Sequence, residues 1–427
     1  MNEKLLQYLW NLKIFTSFDF QDLDGNTIEV LDFGIWNFDS GPDFLHGKIR
    51  YNGVLLAGHI ELHVRSSDWI FHHHSGNPEF SSVILHVVYA HDVEIPEFTE
   101  AGIPTLELKP YINDALIVRY QELLLATQFI PCEKMINPEM LPIFFHEENL
   151  LKKLDSKATE IEEELQRNKN NYEAVLFHRL AYAFGLKVNA DIFQQLAQSI
   201  DYTTFNKIRQ NPVQLEALLF GTAGWLQDSV DSQTELWKRE YDFLKIKYGL
   251  SQAVLHPKFS RLRPPNFPTL RLSQLANLYA LHHNLFSKIM QAPNLAALMD
   301  LFKNVKASNY WNNHFNFGKI SPVKSEKYLT KDFIELIIIN VVLPMKYAYT
   351  RQWDEDAADD ILSFYSKLPA EHNKIIDRWT GLNIVPENAL QSQALLYHYQ
   401  HCCLPKNCLQ CSVGLHLMNR MPTAELL

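Results

Sequence analysis

Gly58-His59-Ile60-Glu61-Leu62-His63-Val64 alternates polar and apolar side chains without a break. A strand turns successive side chains to opposite faces, so this pattern predicts His59, Glu61 and His63 on one face and Ile60, Leu62 and Val64 on the other. Just upstream, Asn52-Gly53 separates Phe44 to Tyr51 from Val54 to Val64. That dipeptide between two strand-like runs is the strongest short-range hairpin signal, so the two strands are expected to be antiparallel. Working outward, Leu5, Leu6, Leu9 and Trp10 fall at helical spacing and predict a helix over 3–14. Thr27 to Phe33 reads as a strand after the turn Asp24-Gly25-Asn26, and Ser66 to His74 as a short helix. Val83 to Tyr89 is a continuous apolar run with one histidine, the pattern of a buried strand, and Pro104 to Leu108 suggests one more. The expected class is α+β. An αβββαβ module spans 1–112, and a large all-α region spans 113–427.

The helical part is read from spacing. Leu151 to Arg167, Tyr172 to Phe184, Ala190 to Ile200, Pro212 to Gln227, Asp332 to Leu343 and Asp356 to Leu368 are expected helices, with breaks at Gly185 and Asn189. Pro96 to Pro110 is acidic and proline-bearing and reads as a transition. No repeat of fixed period emerges, which argues against a solenoid. With 427 residues, 47% of them hydrophobic, the chain has material for two or three domains and is not globally disordered. A net charge of −10 argues against bulk attraction to nucleic acid. The longest apolar run, Leu336 to Leu343, contains Asn340 and falls short of the roughly 18–20 residues of a membrane span. No secretory leader is read at the start. A cytoplasmic location with no membrane partner is the expectation.

Chemistry concentrates around the hairpin. Eight of the 18 histidines lie between His46 and His91. Residues i and i+2 on a strand lie about 6–7 Å apart, so Glu61 and His63, or Glu61 and His59, can meet at one ion. His59 and His63, about 13 Å apart by the same rise, are not expected to share one. Asp43, at the start of the partner strand, and Asp68, His72 and His74, just downstream, complete the candidate ligands. Asp43, Glu61 and His63 are the candidate catalytic groups, with a divalent ion such as Mg or Mn. The competing reading is a polar, solvent-facing side of an antiparallel sheet with scattered structural histidines.

Two other features carry possible chemistry. Lys258 to Arg271 sets Phe259, Arg261, Arg263 and Phe267 in a proline-stiffened loop. Cations and aromatics so interleaved can follow a phosphate backbone and stack a base, which makes Arg261 and Arg263 candidate ligand-binding residues. The plain alternative is a rigid crossover whose arginines pair locally. Near the C-terminus, Cys402, Cys408 and Cys411 stand with Cys403 and His401 within a short segment. Cys408-x2-Cys411 is a metal-knuckle spacing, and thiolates suit zinc or an iron–sulfur cluster. The fourth ligand could be Cys403, His401 or the distant Cys132, which would staple the start of the helical region to its end. Buried thiols in a helical hairpin are the alternative.

Pro42-Asp43, a hairpin and then Glu61-Leu62-His63 is similar to the core of PD-(D/E)XK nucleases. The resemblance implies a restriction-endonuclease-like fold, Asp43 and Glu61 as metal ligands, and His63 where those enzymes carry lysine. Glu3 would match the carboxylate some of them carry on the first helix. Over the whole chain the sequence resembles an uncharacterised bacterial family, domain of unknown function 2851. This rests on Trp36 to Phe44, Gly58 to His63, Ser67-Asp68-Trp69, Val83 to Val88, Gln214 to Gly221, Arg263 to Pro268 and the terminal cysteines. The leading expectation is a divalent-metal phosphodiesterase or nuclease-like module joined to a helical binding region, with nucleic acid or another protein as partner. The alternative is a non-catalytic interaction scaffold with a degenerate nuclease-like fold and a structural metal. Whether the chain is an enzyme, and its oligomeric state, stay open.

Overall fold

The computed structural model describes residues 1–250, 255–260, 262–354 and 356–419. It is a mixed α/β structure with an N-terminal sheet and a large helical region. Contacts divide it into two units, 1–142 with 398–427, and 143–397. The boundary expected at 112/113 is therefore not where the contacts divide, and the described residues from His398 on join the first unit. They do so because a segment's spatial neighbours, not its sequence neighbours, bury its apolar side chains.

The first unit opens with α1 (Glu3–Leu12), which buries Leu5, Leu6, Leu9 and Trp10. Asn2 caps it by accepting from the Leu5 N–H at 2.9 Å. The strands follow as β1 (Ile28–Asp32), β2 (Ile35–Trp36), β3 (Phe44–Tyr51), β4 (Val54–Arg65), β5 (Val83–Ala90) and β6 (Thr105–Glu107). Their order across the sheet is β1-β3-β4-β5-β6, with β2 also on β3. β1, β3 and β4 form an antiparallel meander, whereas β4–β5 and β5–β6 are parallel. The β3–β4 turn has Asn52 at φ 50° and Gly53 at φ 78°, the two left-handed residues of a type I′ turn. The parallel crossover from β4 to β5 carries α2 (Asp68–Phe71), shorter than the expected Ser66 to His74. Gly58 is required in β4, because a Cβ there would lie 2.3 Å from the Ser82 carbonyl oxygen.

One short element departs from expectation. The stretch read as a transition contains α3 (Pro96–Ala101), with Pro at its first position and Gly102 in the left-handed conformation at its end. α4 (Asp114–Leu125) follows in the same unit.

The second unit is helical, beginning with α5 (Phe145–Arg167), α6 (Tyr172–Phe184) and α7 (Leu186–Gln198). It is not all-α: His314–Asn316 and Lys319–Ile320 form a small hairpin. Gly185 does break the chain between α6 and α7, but Asn189 lies inside α7. The Asn189 side chain instead accepts from the Lys258 N–H at 2.8 Å and donates to its carbonyl at 3.0 Å. A large core runs through this unit, built around Phe177, Phe220, Trp237, Trp311 and Tyr365. Lys331–Thr350 is one helix long and apolar enough to cross a membrane, and 67% of its most apolar window is buried inside the protein. That is also how the core helix of a folded helical unit looks.

Candidate metal centre

β4 and β5 run in register, pairing Glu61 with His86 and His63 with Val88, while Ile60 and Leu62 pair with Leu85 and Val87. Parallel neighbours in register share a face, so Glu61, His63 and His86 look out on one side and the aliphatic set on the other. The alternation in β4 is therefore real, but the polar face is not a solvent face. Glu61, His63 and His86 are 4%, 0% and 0% exposed.

The cover over this face is the β4–β5 crossover. Trp69 of α2 packs on Phe98 of α3 with ring centroids 4.5 Å apart, and its indole N–H donates to Glu97. Ser75 also donates to Glu97, at 3.0 Å. These contacts, with Phe80 stacked on His74 at 3.8 Å, hold the loop that carries three consecutive histidines. His73 sits at φ 58°, a conformation few non-glycine residues adopt. Its two neighbours are the ones that converge on β4: the ligand atoms of His63, His72 and His74 all lie within 4.8 Å of one another. His72 is exposed, His74 half-buried and His63 buried, so the group opens to solvent on one side.

Glu61 joins this group. Its Oε1 lies 3.3 Å from His74 Nε2 and 3.7 Å from His63 Nε2. His63 Nδ1 is 3.0 Å from His86 Nε2, and His63 Nε2 is a buried atom with no hydrogen-bond partner. Burial first, then the neighbouring imidazoles, push His63 far below the usual histidine range, and His86 down to about 3. Both rings are neutral. If His63 Nδ1–H donates to His86, the Nε2 lone pair of His63 is left aimed at His72, His74 and Glu61, the arrangement by which a partner behind a ligand orients it.

Asp43 is tied to the same carboxylate. Its N–H donates to Glu61 Oε2 at 2.9 Å, and its Oδ2 accepts from the Leu62 N–H at 3.0 Å. Gln7 of α1 donates to Asp43 Oδ1 at 2.7 Å. Burial pushes both carboxyls well above the ordinary range; Asp43 adds to the rise at Glu61, and Glu3 of α1 adds to it at both. Three carboxylates thus face one another beside a neutral histidine group, an arrangement that a bound cation would relieve.

Of the remaining expected residues, Asp68 stays near this group, within electrostatic reach of Glu3. His59 accepts from the His46 N–H at 3.3 Å, its ring 5.8 Å from that of His46. The carboxylate of Asp68 accepts from the Arg65 N–H at 2.9 Å. Arg261 lies outside the described residues, and Arg263 is exposed. The aromatics of that loop are engaged, Phe259 packing edge-on to Phe267 at 5.2 Å. Arg271 is buried, donating to Gln274 and Asn266 and lying 3.7 Å above the Phe333 ring, so that cation is structural. Sequence reasoning passed over Gln7, His86 and Glu97. A histidine inside an otherwise apolar strand was the available signal for His86; nothing local marked the other two.

The fold and this cluster define a mixed α/β protein whose N-terminal sheet gathers histidines and carboxylates under a helical crossover. The chain belongs to the family described as Protein of unknown function (DUF2851), which matches residues 3–374. The terminal cysteines lie beyond the matched stretch. Neither a curated protein nor a solved structure matches the chain.

Proposed function

We propose that the N-terminal unit is a metal-dependent phosphodiesterase or nuclease-like module, with His63, His72, His74 and Glu61 as its ligand set. The observation that carries this is the buried, unpartnered Nε2 of His63 facing two more imidazoles and a carboxylate. Three nitrogen donors and one oxygen favour manganese, zinc or iron over magnesium, which prefers oxygen alone. A bound divalent ion would polarise a phosphoryl oxygen and supply hydroxide near neutral pH. Asp43, kept protonatable near neutrality by burial, is the group placed to move a proton, and Gln7 orients it. The meander of β1, β3 and β4, followed by a parallel crossover to β5, supports the restriction-endonuclease-like reading, as does Glu3 beside Asp43 and Glu61. Nucleic acid is the substrate class this reading favours. One observation favours the non-catalytic scaffold instead: His63 is held neutral, so it brings no positive charge to a phosphate.

The test is metal analysis of the purified protein by plasma mass spectrometry, followed by hydrolysis of single-stranded DNA and of bis(p-nitrophenyl) phosphate with added manganese or zinc. His63→Ala and Glu61→Gln should each weaken metal binding by about 100-fold and abolish hydrolysis, at the upper end of what removing a supporting group costs. Wild-type protein that takes up no divalent metal would sink the proposal. Protein that binds metal at these residues but cleaves neither substrate would leave the scaffold reading.

A further inference from the structure

The first unit contains a second group of potential ligands, away from the histidines. The segment from His398 onward folds against the stretch from α4 to Cys132. Phe129 stacks on Tyr399 with centroids 4.6 Å apart, Lys406 Nζ donates to the Leu124 carbonyl at 2.5 Å, and Arg119 donates to the Leu417 carbonyl at 3.4 Å. Cys132, Cys403, Cys408 and Cys411 are all buried. They arrive from separate places: a turn after Pro131, the end of the helical turn Tyr399–Cys403, the start of the turn Cys408–Gln410 and the residue that follows that turn.

The four sulfurs are electrostatic neighbours. Cys132 is pushed up to about 12 and Cys408 up to about 11, and Cys403 higher still; burial is the first cause and the other thiols of this group come next. Every pair among the four contributes to one of these shifts. Cys402 is set apart from these four by its exposure, being only half-buried. The backbone around them is shaped for sulfur. The Gly414 N–H donates to Cys411 Sγ at 3.4 Å, and His398 Nε2 lies 3.4 Å from the same sulfur. A Cβ on Gly414 would lie 2.3 Å from the Cys408 carbonyl oxygen, so only glycine lets that N–H approach. Cys132, Cys403 and Cys408 carry free thiols. Four buried thiols drawn from both ends of one unit are more than apolar filler requires.

The spacing distinguishes the ion. Four sulfurs about 2.3 Å from one zinc in a tetrahedron must lie roughly 3.8 Å apart. Among the described residues, the histidines form a group with ligand atoms within 4.8 Å of one another, and no three of these cysteines do. A cluster core, with iron and sulfide between the thiolates, holds four cysteines further apart than one zinc does. We propose that Cys132, Cys403, Cys408 and Cys411 hold an iron–sulfur cluster that staples the C-terminal segment to the N-terminal unit. On ligation each thiol would give up its proton, and bonds to iron would offset the repulsion among the resulting thiolates. The site also borders α1 and α4: Cys411 acts on Tyr8 and Cys408 on Tyr120. The staple would thereby steady the helix that carries Glu3 and Gln7.

The experiment is anaerobic purification of the full chain, with iron, zinc and acid-labile sulfide measured alongside the visible spectrum and electron paramagnetic resonance after reduction. Iron and sulfide in near-equal amounts with a broad visible absorption are expected. Cys132→Ser, Cys403→Ser, Cys408→Ser and Cys411→Ser should each lose most of the bound iron, while Cys402→Ser keeps it. Circular dichroism of each variant separates loss of the cluster from loss of the fold, and chemical reconstitution of folded variants with iron and sulfide repeats the comparison. Zinc bound in place of iron overturns the cluster, as does wild-type protein that stays free of iron after reconstitution. Loss of iron in Cys402→Ser with retention in Cys403→Ser overturns the ligand assignment.

Discussion

At the scale of single residues, the polar positions of β4 show how far pattern reading reaches. Glu61 and His63 stand out because they share a face, as they do in the sheet, and the Asp43 N–H bonds to Glu61. What alternation cannot show is that β5 and the crossover close over that face, turning surface-like residues into buried ones whose protonation is set by desolvation. The same physics acts in the second unit on His178, which burial lowers to about 4. Above about pH 6.5 the ring is neutral in both folded and unfolded chains and the pH has no effect through it. Between about pH 6.5 and 4 the unfolded chain takes up a proton that the folded chain refuses, so stability falls as the pH falls. The full cost is about 3 kcal/mol by pH 4, at about 1.4 kcal/mol per unit. His178→Gln should flatten that slope. Urea unfolding of both proteins at pH 7 and pH 4.5 checks this, and parallel losses in the two would refute it.

At the scale of elements, turn chemistry was the most legible signal. Asn52-Gly53 predicts a tight hairpin because both central residues of that turn need left-handed backbone, and the strands on either side, β3 and β4, begin and end within a residue of expectation. Gly53 has nothing within 4 Å of a would-be Cβ, so its replacement meets backbone strain alone. Gly53→Ala is expected to cost about 1–2 kcal/mol of unfolding free energy, the penalty of a left-handed L-residue. Denaturant titration measures it, and a loss below a few tenths of a kcal/mol would mean the turn has relaxed to another type. α3 was passed over although Pro96 and Gly102 mark its two ends, because a helix of six residues offers too little periodicity to read. It matters beyond its length, since Glu97 and Phe98 hold the histidine loop in place.

At the scale of the molecule, the C-terminal segment belongs with the N-terminal sheet. Its anchors on α4 and on Phe129 are long-range contacts within one unit. Ending the chain after Tyr397 should therefore destabilise residues 1–142 selectively. In hydrogen exchange followed by mass spectrometry, amides of α4 and of the stretch up to Cys132 should lose protection, while those of α6 and the helix Pro212–Thr222 keep it. Uniform loss of protection across both units would contradict the division.

The sequence by itself determined the local order of elements, the hairpin, the two faces of β4 and the identity of most groups at the candidate metal centre. Those follow from side-chain periodicity and backbone preference, which act over a few residues. Tertiary structure alone decided which of those groups meet. It turned His72 and His74 toward His63 while His59 went to His46, brought Gln7 to Asp43, and gathered Cys132 with Cys403, Cys408 and Cys411. It decided this because burial is paid for by contacts between segments far apart in the chain, and no local pattern records which distant segment will supply them.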